Sequence, residues 1–226
     1  MIGCCNNTNH GDWLNILNCG NEANVTGTNA NCSGIIGVNY DGGLKIRIEN
    51  CYNTGNIVGT NENAAFSGWL GNDNSLIINS WNSGNITGID GANTLARCIK
   101  EANIQNSYDL GNDANAKVAK TVMEGYQTSW LASGQVANTI NSGATSYVWY
   151  QTLATDTHPV LNTTHDAIVK ITDTKYATLV APANLDFSAQ TAVTAYGTQY
   201  RDWETDRKST RLNSSHSGES RMPSSA

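Results

Sequence analysis

The chain has 226 residues, of which 14% are charged and 39% hydrophobic, with 13 basic against 19 acidic side chains and a formal net charge of −6. That length suffices for a buried core, and an acidic, weakly charged chain argues against nucleic acid and anionic membranes, which need clustered Lys and Arg. The sequence contains no apolar run long enough for a transmembrane helix.

The opening stretch, Met1-Ile2-Gly3-Cys4-Cys5, has neither the basic region nor the apolar stretch of a signal peptide. Because it falls inside a repeat, further N-terminal coils and a secretion signal are expected upstream. Cys4, Cys5, Cys19, Cys32, Cys51 and Cys98 form no Cys-x-x-Cys pair and have no His pair at ligand spacing, so no metal or other cofactor is expected.

A phrase then recurs. Asn18-Cys19-Gly20-Asn21 leads to Asn24-Val25-Thr26-Gly27, and Asn50-Cys51-Tyr52-Asn53 leads to Gly55-Asn56-Ile57-Val58-Gly59. Asn79-Ser80-Trp81-Asn82 leads to Gly84-Asn85-Ile86-Thr87-Gly88, and a worn fourth copy is Asn106-Ser107-Tyr108-Asp109 with Gly111-Asn112. A second marker, Ile2-Gly3, Ile36-Gly37 and Leu70-Gly71, recurs as well, with Cys98 in a fourth glycine place. Two markers at a period of about 27 to 34 residues define a tandem array.

One period is rich in Asn and Gly, which suit sharp corners and oppose helix. Its clearest apolar pattern is Leu44, Ile46 and Ile48 alternating with Lys45, Arg47 and Glu49, the period-two signature of a strand with its charges outward. The expected fold is therefore mainly β: over 1–115, a right-handed parallel β-solenoid of about four irregular coils, each strand pairing with its copies above and below. Stacking predicts an amide ladder of Asn18, Asn50, Asn79 and Asn106 at a corner and an apolar ladder of Val25, Ile57 and Ile86. Cys19 and Cys51 share one ladder position with Ser80 and Ser107. Small, buried and interchangeable is the simple reading; stacked cysteines could approach disulfide distance, but the serines argue that no bond is needed. Tyr52, Trp81 and Tyr108 form an aromatic column that either packs the corner or points outward to stack on sugar rings, and it is the candidate ligand-binding feature.

These units resemble GLUG-type repeats of secreted and surface-attached bacterial proteins. Residues 50–59 match the family's phrase closely, whereas the first copy departs with Gly20 in the aromatic place and the fourth with Cys98 in a glycine place. The resemblance covers about half of the chain and implies an extracellular or cell-surface location.

Near 112–118 the Asn and Gly density falls. Residues 116–165 are expected to form a helix-containing cap, with an amphipathic helix over 128–140 ended by Asn141-Ser142-Gly143. Strand-like runs follow at 147–153, 167–171, 176–180 and 191–196, the last three within a truncated β domain at 166–200. Ser133-Gly134-Gln135, Trp149 to Leu153 and His158-Pro159-Val160-Leu161 resemble the segment that closes GLUG arrays, and Trp130, Trp149 and Tyr150 are large enough to plug the end of a stack. From Asp206 to His216 the residues resemble one reading frame of a DNA-sequencing adapter, so 201–226 is expected to be an artefactual, disordered tail. Its basic cluster, Arg207, Lys208 and Arg211, is then no nucleic-acid patch, and the rest of the chain is more acidic than the total.

Catalysis on a β-helix would need two carboxylates or a base beside a cation on neighbouring coils. Asp41, Lys45, Arg47, Glu49, Asp73, Asp90, Arg97, Lys100 and Glu101 form no recurrent acidic column, and no Gly-x-Ser-x-Gly elbow is present. His10, His158 and His165 read as loop residues. Asn72-Asp73-Asn74 and Asn112-Asp113 match no calcium-binding loop. No catalytic residue is assigned. The expected function is that of a non-catalytic secreted or surface repeat protein with an adhesive, binding or stalk role towards glycans or host and bacterial surface proteins. The alternative is a fragment of a β-helix carbohydrate-active enzyme, a polysaccharide lyase or glycoside hydrolase.

Overall fold

The structure is a computed structural model that describes residues 2–5, 11–39, 44–88, 94–110, 128–172, 175–179 and 193–195. All of them lie in one unit, Met1–Tyr196. The boundary expected at 112–118 and the expected tail at 201–226 fall outside the described residues.

The protein is mainly β. The first copy supplies β1 (Ile2–Cys5), β2 (Trp13–Leu17), β3 (Gly20–Asn21) and β4 (Val25–Thr26). The second supplies β5 (Ile36–Asn39), β6 (Lys45–Glu49), β7 (Tyr52–Asn53) and β8 (Ile57–Val58). From the third come β9 (Ser67–Leu70), β10 (Leu76–Ile78) and β11 (Trp81–Asn82), and from the fourth β12 (Ile104–Gln105) and β13 (Tyr108–Asp109). Each strand pairs in parallel with its equivalent in the next copy, giving the sheet orders β1-β5-β9, β2-β6-β10-β12, β3-β7-β11-β13 and β4-β8.

Period-two patterning decides which side chains enter the core. Along β6, Ile46 and Ile48 are fully buried while Lys45, Arg47 and Glu49 keep part of their surface. In-register stacking then sets like on like: Ile16 faces Ile48, Ile48 faces Ile77, and Ile77 faces Ile104. Val25 likewise faces Ile57, and Ile57 faces Ile86. Each fully buried Ile contributes about 2–3 kcal/mol of transfer free energy.

The turn after each strand of the second sheet demands a left-handed residue. Asn18, Asn50, Asn79 and Asn106 supply it with φ of 55°, 53°, 50° and 47°, a region that Asn enters more readily than other side chains with a Cβ. Their spacing of 32, 29 and 27 residues therefore marks the corners.

The second marker is corrected. Ile2 does face Ile36, but Ile36 faces Ser67, and Asn39 faces Leu70. Leu70-Gly71 is thus three residues out of register, and Cys98 is not the fourth member, because Ser67 bridges to Ala96. The physical reason is inward size: Ile36, Ser67 and Ala96 are all fully buried beneath their neighbours, and this column sets the register.

After the repeats come α1 (Thr128–Ala132) and α2 (Gln135–Gly143), then an antiparallel sheet of β14 (Ala167–Thr172), β15 (Lys175–Leu179) and β16 (Val193–Ala195). The single helix expected over 128–140 is therefore two. Gly134 separates them at φ 82°, a left-handed conformation that breaks the helical run and suits glycine, and a Cβ there would lie 2.9 Å from Ile168 Cγ2 of β14. The strand expected at 147–153 is also corrected to one antiparallel bridge, Tyr150 to Val160. Asn141 explains this: its Oδ1 accepts from the Val148 and Trp149 N–H groups at 2.9 and 3.0 Å, occupying donors that a sheet would use.

Candidate functional site

The aromatic column sits on the third sheet, where Tyr52 faces Trp81 and Trp81 faces Tyr108. The Tyr52 and Trp81 rings stack with centroids 5.2 Å apart and planes 18° apart. Gly20, in the aromatic place of the first copy, leaves space for this column: a Cβ on it would lie 2.1 Å from Tyr52 Cε1.

The column does not face open solvent. Trp81 is fully buried, and Tyr52 and Tyr108 are partly buried. Trp149 packs edge-on against Tyr52 and Trp81 at 6.0 and 5.8 Å, and the His158 ring lies 5.5 and 5.6 Å from the same two rings. A sugar could not stack on Trp81 without displacing Trp149, so the outward reading is corrected for that residue.

The segment holding Trp149 runs along the stack rather than over its end. Asn106 Nδ2 donates to Ile140 O at 2.7 Å in the fourth copy, and Trp149 Nε1 donates to Asn79 O at 3.0 Å in the third. Trp149 and His158 meet Tyr52 in the second, and His158 Nε2 lies 4.0 Å from Glu22 Oε1 in the first. The expectation that Trp149 plugs an end is corrected accordingly, since it rests on β7 and β11, the two inner strands of their sheet. Trp130 is partly buried in the same cluster, whereas Tyr150 turns to Tyr147 with ring centroids 4.9 Å apart. Beneath the segment, Leu131, Val136, Ala137, Ile140, Ile168 and Tyr176 form a second core joined to Trp81 and Leu110.

Tyr52 Oη donates to Glu22 Oε1 at 2.6 Å, and burial followed by that carboxylate pushes the phenol up to about 12. Trp81 Nε1 is buried without a hydrogen-bond partner among the described residues.

Two amide ladders run beside the column. The expected corner ladder forms only as two pairs: Asn50 Nδ2 donates to Asn18 Oδ1 at 3.0 Å and Asn106 Nδ2 to Asn79 Oδ1 at 2.7 Å, while the buried Asn50 Oδ1 meets no donor among the described residues, so the run is interrupted between Asn50 and Asn79. The other was missed from the sequence. Asn21 Nδ2 donates to Asn53 Oδ1 and Asn53 Nδ2 to Asn82 Oδ1, both at 2.7 Å, and Asn82 Nδ2 donates to Asp109 Oδ1 at 2.8 Å. Asn53, Asn82 and Asp109 are buried. The signal was present in the phrase itself, whose fourth place reads Asn, Asn, Asn, Asp.

Cys51 is buried, but Cys19 is exposed, which corrects the expectation that both are enclosed; β3, which follows Cys19, is an edge strand. Both thiols donate to a carbonyl two residues back, Cys19 to Leu17 O at 3.2 Å and Cys51 to Glu49 O at 3.3 Å. Ser80 and Ser107 do the same to Ile78 O and Gln105 O, which explains the interchange. Burial pushes the Cys51 thiol up to about 12.

Three ion pairs neutralise charges singled out in the sequence: Arg47 with Glu49 at 2.7 Å, Arg97 with Glu62 at 2.9 Å and Lys100 with Asp73 at 2.9 Å. In the later loop His165 Nδ1 lies 2.6 Å from Asp156 Oδ2, which also accepts from the Thr152 N–H. Among the described residues, no group of three or more His, Cys, Asp or Glu side chains gathers as metal ligands, and no helix is long and apolar enough to cross a membrane. No protein-family model, curated protein or solved structure matches the chain.

Proposed function

We propose that the four copies are coils of a right-handed parallel β-solenoid of the GLUG type, belonging to a non-catalytic bacterial protein that is secreted or held at the cell surface. Its role is that of a stalk or adhesive module towards glycans or surface proteins. The observation that carries this reading is the use made of the repeated phrase: its asparagines bond to their own copies, and its aromatic rings pack beneath Trp149. The repeated chemistry of each copy is thereby directed at stacking, and a partner is left the rim around Glu22 and Tyr52.

A panel of neutral and acidic polysaccharides and surface proteins tests this, with saturable binding and product release followed in parallel on the full chain. Binding or surface display without new reducing ends or unsaturated uronides is the expected result. Catalytic release of such products overturns the reading in favour of a carbohydrate-active enzyme.

A further inference from the structure

We infer that Cys19 and Cys51 join in a disulfide between the first and second copies when the chain meets a small disulfide oxidant such as oxidised glutathione. The register of β3 on β7 sets Gly20 beside Tyr52, and hence Cys19 beside Cys51. The Tyr52 N–H donates to Cys19 O at 3.0 Å, holding the two backbones together there. Equivalent residues on neighbouring strands lie about 4.8 Å apart, within the roughly 4.4–6.8 Å that a disulfide requires between Cα atoms. Cys51 Sγ also leans towards the first copy, 3.5 Å from Ile16 O. Both thiols are free, and serine at the equivalent positions 80 and 107 confines the bond to this pair of copies.

Exposure dictates the order of events. The Cys19 thiolate attacks one sulfur of oxidised glutathione, forming a mixed disulfide and releasing one glutathione thiol. Cys51 then loses its proton and attacks the Cys19 sulfur, and the second glutathione leaves with a proton. Two protein thiols are oxidised by two electrons, and one glutathione disulfide is reduced to two thiols. Burial of Cys51 raises its pKa and slows the second step, so the mixed disulfide accumulates first and closes faster as pH rises.

The test treats the full native chain, Cys19→Ser and Cys51→Ser with oxidised glutathione, followed by non-reducing digestion and tandem mass spectrometry. The wild type is expected to give a glutathione adduct at Cys19 that decays into a peptide crosslinked between Cys19 and Cys51. Its melting temperature should rise by about 5–10 °C over the reduced form. Both variants, which keep the hydroxyl found in later copies, should lack the crosslink and the rise. A Cys19 adduct that persists beside a free Cys51, or a Cys19 paired with any other cysteine, overturns the inference.

Discussion

Asn21, Asn53 and Asn82 each use the side-chain amide twice, once towards the next copy and once towards a carbonyl two residues on, at Ala23, Gly55 and Gly84. Every hydrogen of the amide is spent, and the chain of bonds runs in one direction until it meets Asp109, whose Oδ1 accepts the last of them. Asn82→Ala leaves one Asn53 amide hydrogen without its acceptor and removes the Asn82 bond to Asp109, both in a buried site. It should lower stability by about 2–4 kcal/mol in urea denaturation, whereas the exposed Asn85→Ala should stay within about 1 kcal/mol. Asn82→Asp should cost more than Asn82→Ala, because it sets two buried carboxylates together. A pH effect arises at the same scale. The fold keeps Cys51 protonated to about 12 against an ordinary 9.0, and Tyr52 to about 12 against 10.0. Above those ordinary values the unfolded chain holds fewer protons than the folded one, so stability present at neutral pH is lost as pH rises through this window. In the reduced protein, the urea midpoint should fall between about pH 8 and about pH 10.5, and Cys51→Ser should lessen the fall.

At the scale of the strand and turn, glycine placement sets how closely copies approach. A Cβ on Gly84 would lie 2.0 Å from Gly55 O, a backbone atom that cannot swing aside. Gly84→Ala should therefore cost about 3 kcal/mol, while Gly11→Ala, with nothing within 4 Å, should change the urea midpoint little. The corner asparagines were legible in the sequence because few residues accept a left-handed turn, so the constraint leaves a mark at every copy. The register of the first sheet was not legible from Leu70-Gly71, because the small inward residues Ser67 and Ala96 that set it carry no hydrophobic signal. The break in the helix was written only as Gly134 and needed the position of Ile168 to be understood. Likewise, the Tyr52, Trp81 and Tyr108 spacing was readable as a column, but its cover was not: Trp149 lies 70 residues from the Asn79 carbonyl it binds.

For the molecule as a whole, Trp149 couples two cores. Its indole is fully buried edge-on against the stacked Tyr52 and Trp81 rings, and the residue is held by Asn79 O and by Asn141. Trp149→Ala should cost about 3–5 kcal/mol. Hydrogen exchange should locate the loss in β7, β11 and α2 together, whereas β1 and β5, which lie in the other core cluster, should keep their protection longer. Loss confined to residues 128–168 would show that the segment is only laid upon the stack.

The path of that segment also bears on how such an array can change over generations. It meets the fourth, third, second and first copies in turn, at Asn106, Asn79, Tyr52 and Glu22. Tandem arrays grow when a unit is duplicated, and each added unit displaces those beyond it by about 4.8 Å. A duplication between Glu22 and Asn106 would carry the Ile140, Trp149 and His158 anchors off their marks together. The segment thus ties the number of copies between Glu22 and Asn106 to the spacing of its own anchors, and a unit inserted there should lower the urea midpoint.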